Sequence, residues 1–145
     1  MKPKLLFQLF NPQAIGPSKD SSLLLFRILV SLSMINTHGM KKILNFQKTA
    51  AHIPDPMGLG GEISALIAIG ANIVAPLFVI FGLGTRLASI LILSVTLMGF
   101  FVVHGSDPWS VRDVPLIYSL AYLLIFFVGP GKYAIDQKIF NRQQS

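Results

Sequence analysis

Four apolar runs dominate the sequence: Ser21–Met40, Glu62–Leu83, Leu87–His104, and one that starts between Pro108 and Val114 and ends near Val128. Each comes close to the length that crosses hydrocarbon as a helix. A bilayer core about 30 Å thick takes roughly 20 helical residues, and within it every backbone N–H and C=O has to be bonded inside the segment. Composition agrees, since 52% of the 145 residues are hydrophobic and only 12% are charged, more apolar than a soluble domain of this length requires. The sequence therefore predicts an all-α integral membrane protein with a single domain over 1–145. Its architecture is an antiparallel bundle of four transmembrane helices at about 21–40, 62–83, 87–104 and 110–128.

The first run contains Arg27, follows a long polar stretch and lacks a small-x-small cleavage site, which predicts an uncleaved helix capped by Asp20, Ser21 or Ser22. Ahead of it, "KPKLLFQLF" over residues 2–10 mixes lysines with Leu5, Leu6, Phe7, Leu9 and Phe10, a composition suited to a short N-terminal helix in the headgroup layer. After it, "KKILNFQKTAAHI" sets Ile43, Phe46, Ala50 and Ile53 at helical spacing while Lys41, Lys42 and Lys48 stay polar, which predicts a second interfacial helix. "PDPMGLGG" then breaks the chain. Only "GLGT" separates the second and third runs, so these two form an antiparallel hairpin. A glycine, Gly82 or Gly84, closes one helix in the left-handed region and Thr85 caps the next.

Outside the first run, three Lys or Arg residues precede it, one lies in the hairpin turn and three follow the last run, against four in the two remaining loops. This bias places both termini in the cytoplasm. The net charge of +6 flanks apolar runs and forms no basic stripe with interleaved aromatics, so the expected partner is the lipid bilayer with its anionic headgroups and not nucleic acid. The absence of cysteine excludes disulfide exchange, a cysteine-ligated iron–sulfur cluster and a thiolate nucleophile. "GLGG" and "GLGT" follow no strand and lack the dinucleotide fingerprint, so nothing is set up for flavin or nicotinamide.

Threading the four spans brings the end of the first, the start of the second, the end of the third and the start of the fourth to one face. His38, Glu62, His104, Asp107, Arg112 and Asp113 fall there. Ionisable groups at bilayer depth are costly, tend to face the bundle interior and mark functional sites. Along the first span Arg27, Ser31, Met34 and His38 form one helical stripe, expected to face inward. In the second, Glu62, Ala65, Ile69, Asn72 and Pro76 share an arc, and small residues at 65, 68, 71 and 75 let a neighbour approach. In the fourth, Arg112, Pro115, Ser119 and Tyr122 follow the same rule.

Simpler roles compete with these. Arg27 lies near its helix end and is expected to snorkel to phosphates, and Glu62 complements a helix dipole. His38 and His104 cap helix ends, Asn72 makes a packing hydrogen bond worth roughly 1 kcal/mol, and Trp109 anchors the interface. Lys41 and Lys42 lie among headgroups.

Taken together, "LFRILVSLSMINTHGMKK", "IPDPMGLGG", "IFGLGTRLAS", "FFVVHG" and "FVGPGKYAID" resemble the DoxX family of small four-helix bacterial membrane proteins, over nearly all of the chain from Leu23 to Asp136. The resemblance implies a multi-pass inner-membrane component of a redox system, some such proteins being associated with quinone-linked sulfur oxidation or oxidative-stress defence. It also marks Arg27, Gly82, Gly84, Thr85, Arg86, Gly129, Gly131 and Asp136 as structural positions. Two departures stand out. Family members often carry a carboxylate in the middle of the second span where this chain has Asn72, and the closing motif usually has serine where Ala134 stands.

A quinone suits a polar pocket that opens to lipid, and the candidate binding set is His38, Glu62, Asn72, His104, Asp107, Arg112, Asp113 and Tyr122. His38 or His104 could donate to a carbonyl, Arg112 could stabilise a developing anion, and Glu62 or Asp107 could relay protons. Electrons would come from a partner redox protein, which makes the chain a subunit of a quinone-linked oxidoreductase; no catalytic residue and no metal site is assigned. A non-enzymatic scaffold or small-solute transport component, working as a homo-oligomer, is the alternative. Haem held by His38 and His104 is a weaker fit, since both lie near helix ends.

Overall fold

The computed structural model describes residues 18–142, and the helix expected over residues 2–10 lies outside them. The described residues form α1 (Lys19–Leu44), α2 (Phe46–His52), α3 (Gly61–Phe81), α4 (Thr85–Val103), α5 (Trp109–Val128) and α6 (Ile135–Arg142). Helices α1, α3, α4 and α5 are long and apolar enough to cross a membrane. They pack in a ring, α1 on α3, α3 on α4, α4 on α5 and α5 back on α1. The all-α four-span bundle and the short helix after the first span are as the sequence predicts. The 82–84 turn and the segment after α5 share one end, the turn rim; residues 45–60 and 104–108 share the other, the loop rim.

Burial follows the logic of a lipid solvent. Leu25, Leu29, Ile63, Leu66, Leu87, Ile117 and Phe127 point outward, while Ser31, Ser89, Thr96 and Ser119 are buried. The small residues of α3 do what their spacing predicts, with Ala65, Ala68, Ala71 and Ala75 all buried. The core, built on Met34, Val79, Ile92, Tyr122 and Ile125, joins all four spans. Two interhelical hydrogen bonds cross it: Tyr122 donates to Ser31 Oγ at 3.2 Å, tying α5 to α1, and Ser119 donates to Thr96 Oγ1 at 2.8 Å, tying α5 to α4.

Three spans contain a π turn: Ile35–Gly39 in α1, Gly70–Val74 in α3 and Gly99–Val103 in α4. A π turn inserts one residue and rotates everything beyond it. In α1 the buried stripe runs Arg27, Ser31, Met34 and then Gly39, not His38 as regular spacing implies. Gly39 meets α3 so closely that a Cβ there would lie against Ile73 Cγ1 and 2.8 Å from the Asn72 carbonyl oxygen. His38, one residue short of the new register, is turned aside.

The turn rim is held by a clasp that differs from expectation in three ways. Arg27 does not snorkel: it is 1% exposed, and Nη1 and Nη2 donate to the Pro130 and Tyr133 carbonyls at 2.7 and 3.4 Å. The chain after α5 turns back through Gly129 and Gly131, both at positive φ, and supplies carbonyls that replace phosphate. Nor is α4 capped by Thr85. Asp136 reaches across instead, accepting from the Gly84 N–H at 2.7 Å, the Thr85 N–H at 3.0 Å and the Thr85 hydroxyl at 3.0 Å. Its own N–H donates to the Gly82 carbonyl at 2.8 Å. Finally, α1 is capped by Ser18, whose Oγ accepts from the Ser21 N–H at 3.3 Å, which leaves Asp20 to pair with Lys132 at 3.5 Å. Gly82 adopts the left-handed conformation that ends α3, with φ 69°. Ala134 sits so close to it that a Cβ on Gly82 would fall 2.5 Å from the Ala134 Cβ. Arg86 is exposed beside the turn.

Replacing Asp136 by alanine orphans the first N–H groups of α4, each such loss costing about 1–3 kcal/mol. Asp136→Ala should therefore lower the unfolding midpoint in detergent titration, Asp136→Asn by less, and an exposed substitution such as Lys138→Ala should leave it unchanged.

Candidate functional site

At the loop rim α3 and α4 part around a cleft of ≈ 350 Å³. Ile67 and Ala68 of α3 and Val95 and Met98 of α4 make apolar walls, and Pro54, Pro56 and Met57 of the loop before α3 close over them. Its polar groups are few: Lys42, Ser64, Asn72, Ser94 and His104. This balance of apolar lining with sparse polar groups is what small-molecule sites show. Asn72 marks the deep end. It lies eleven residues into α3, about 16 Å from the loop rim at about 1.5 Å per residue. The residue is only 5% exposed, and its carboxamide opens on the cleft with no hydrogen-bond partner among the described residues. The π turn at Gly70–Val74 brings both Ala71 and Asn72 to the inner side. An unpaired carboxamide at that depth costs a few kcal/mol unless something bonds it.

The mouth carries His104 and Lys42. The His104 ring meets Asp107 Oδ2 through Nδ1 at 2.7 Å, which fixes the proton there and leaves Nε2 as the free nitrogen. Lys42 turns inward and is half-buried, its Nζ donating to the His38 carbonyl at 3.1 Å, in place of the headgroup position expected of it.

The other candidates lie elsewhere. His38 stands edge-on to Tyr118, ring centroids 5.3 Å apart, in the seam between α1 and α5; there Tyr118 hydroxyl also meets Ser33 Oγ at 2.8 Å. His38 and His104 thus share a rim but face different seams. Arg112 stacks on Phe100 and Trp109, 4.5 and 5.0 Å from their ring centroids, with a buried Nε that has no partner among the described residues. Tyr122 is deep in the core, committed to Ser31. Glu62 and Asp113 are exposed and line no part of the cleft.

Sequence reasoning missed the loop device built on Asp55. One of its oxygens accepts from the Gly60 N–H at 2.7 Å, the other from the Leu59 N–H at 3.0 Å and the Ser64 hydroxyl at 2.9 Å. The bonds from Gly60 and Ser64 hold its carboxyl below the ordinary aspartate range. Asp between two prolines and ahead of glycines was the available signal, since that side chain readily bonds nearby backbone N–H groups. Sequence spacing assigned no role to Tyr118, which the fold sets against His38 and Ser33.

Fold and cleft together define a four-span helical membrane protein with an apolar, sparsely polar cleft between its second and third spans. The chain belongs to the DoxX family, whose sequence profile matches residues 22–105. An uncharacterized protein of Haemophilus influenzae is 28% identical over 133 residues, covering 86% of this chain and 87% of that protein. The inner membrane protein YqjF of Escherichia coli is 28% identical over 129 residues, covering 86% of this chain and 96% of that protein. No solved structure matches.

A carboxylate whose pKa is lowered on folding stabilises the loop above its unfolded pKa and loses that contribution as pH falls through the folded value. Backbone amide exchange at residues 58–60 should therefore accelerate, beyond the intrinsic pH effect, only below the ordinary aspartate value of about 4. Asp55→Asn should exchange faster at neutral pH and show no such step.

Proposed function

We propose that the chain is a membrane subunit of a redox system and that its loop-rim cleft holds the ring of a lipid-soluble quinone. The observation that carries this is Asn72, a hydrogen-bond donor and acceptor left unpaired at the deep end of an apolar slot. A quinone ring is apolar on both faces and bears acceptor oxygens at its edge. Ile67, Val95 and Met98 suit the faces, and the Asn72 amide suits a carbonyl. His104, backed by Asp107, and Lys42 stand at the mouth where protons would enter. Full reduction takes two electrons and two protons, so the chain supplies site and proton path while electrons come from a partner protein with its own redox centre.

The location proposed is the bacterial inner membrane, in line with the name of the Escherichia coli relative. The turn rim faces the cytoplasm, where the excess of Lys and Arg lies. Asn72 differs from a carboxylate in staying neutral, which fits a group that donates to a carbonyl and does not itself take up the proton.

The test is titration of the full chain in lipid nanodiscs with a short-tailed ubiquinone analogue. One lost hydrogen bond is worth about 1 kcal/mol, so Asn72→Leu should raise Kd roughly fivefold. His38→Ala, outside the cleft, should leave Kd unchanged. Equal binding by wild type and Asn72→Leu, or a loss confined to His38→Ala, would contradict the assignment.

A further inference from the structure

One outward stripe of α1 carries a single polar group at bilayer depth. Leu25, Leu29 and Leu32 are each about half exposed, and the next position on that face is Asn36, exposed and without a hydrogen-bond partner among the described residues. Met40 and Ile43, also exposed, continue the face toward the loop rim. The steps between these positions alternate four and three residues, except from Asn36 to Met40, where the alternation calls for three and the chain takes four. The π turn Ile35–Gly39 falls there and absorbs the extra residue, so the seam stays straight. On the opposite side of the same helix lie Arg27, Ser31 and Met34, all committed to the bundle interior.

Asn36 stands eight residues from Leu44, the end of α1, about 12 Å inside the loop rim at about 1.5 Å per residue. A carboxamide facing acyl chains there finds neither water nor protein. Ser33 and Thr37 nearby are satisfied, Ser33 by Tyr118 at 2.8 Å and Thr37 by the Ser33 carbonyl at 2.6 Å. Asn36 is thus the one side chain of the stripe with bonding left to make.

We infer that this face of α1 is an interface with a second copy of the chain, centred on a hydrogen bond between the two Asn36 carboxamides. Three features select a copy over another occupant. Two copies thread the bilayer in the same sense, so each presents its Asn36 at the same depth. A carboxamide is donor and acceptor at once, and therefore complements itself across a two-fold axis along the membrane normal. The flanking apolar residues keep the alternating spacing with which two parallel helices interdigitate, and a single polar residue in such a seam fixes register and partner number.

The absence of cysteine in the natural sequence makes the test direct. In membranes under mild oxidation, full-length Leu32→Cys should form a disulfide-linked dimer of twice the chain mass. Ile90→Cys, exposed on α4 across the ring, should not. By energy transfer between labelled full-length chains in vesicles, Asn36→Leu should raise the dimer Kd about threefold to thirtyfold, the range for one interhelical polar contact. Asn36→Gln should recover part of the loss. Three results would overturn the inference: equal cross-linking from Ile90→Cys, a Leu32→Cys adduct whose mass is not that of a dimer, or association unaltered by Asn36→Leu.

Discussion

The structure rests on how a guanidinium is held where water is scarce. Arg27 is buried among helices, and a bare cation there would cost several kcal/mol. The carbonyls of Pro130 and Tyr133 meet its two Nη groups, while Nε stays buried without a partner among the described residues, and they do so only because the chain after α5 folds back over the rim. Once folded back, that segment sets Asp136 onto the first amides of α4 and Ala134 onto Gly82. The start of α1, the α3–α4 turn and the end of α5 are thereby locked by one short peptide. Each contact places the next, so removing a member exposes backbone groups that lipid cannot bond.

The opposite rim is built on the contrary principle. The π turns of α1 and α4 lie in the halves nearest the loops and that of α3 lies at mid-span, and each loosens the regular ladder there. Close approach is kept where Gly39 meets α3, while α3 and α4 part beyond it to leave the cleft. The loop held by Asp55 covers that gap with prolines and Met57. One end is therefore fixed by charge-assisted hydrogen bonds, and the other keeps space lined by side chains with bonding capacity to spare. That asymmetry gives a small bundle both a fixed end and a cleft.

Much of this was legible in the sequence, and the misses have physical causes. The number, order and approximate limits of the spans followed from apolar length alone, as did the packing role of Ala65, Ala68, Ala71 and Ala75. Regular 3.6-residue spacing failed at His38, because no composition cue marks an inserted π residue, and the register beyond Met34 moved by one. Arg27 was read by its distance from the helix end, which cannot show that a segment more than a hundred residues later comes to cover it. The same blindness to long-range contacts hid the Asp136 cap, although family resemblance marked the residue. Lys42 was taken for a headgroup anchor because its sequence neighbours are polar, yet the fold turns it toward the cleft. Of the predicted site residues, Asn72 and His104 meet in one space with Asp107 behind. His38, Arg112 and Tyr122 are engaged elsewhere.

The most direct test of the central claim is photoaffinity labelling of the full chain in membranes with an azido-quinone, followed by mass mapping of the labelled residues. Labels should fall on Ile67, Val95 or Met98, the walls between Asn72 and His104, and unlabelled quinone should compete them away. Labels spread over outward residues such as Ile117 and Phe127, with no competition, would mean that the cleft is not where such a molecule binds.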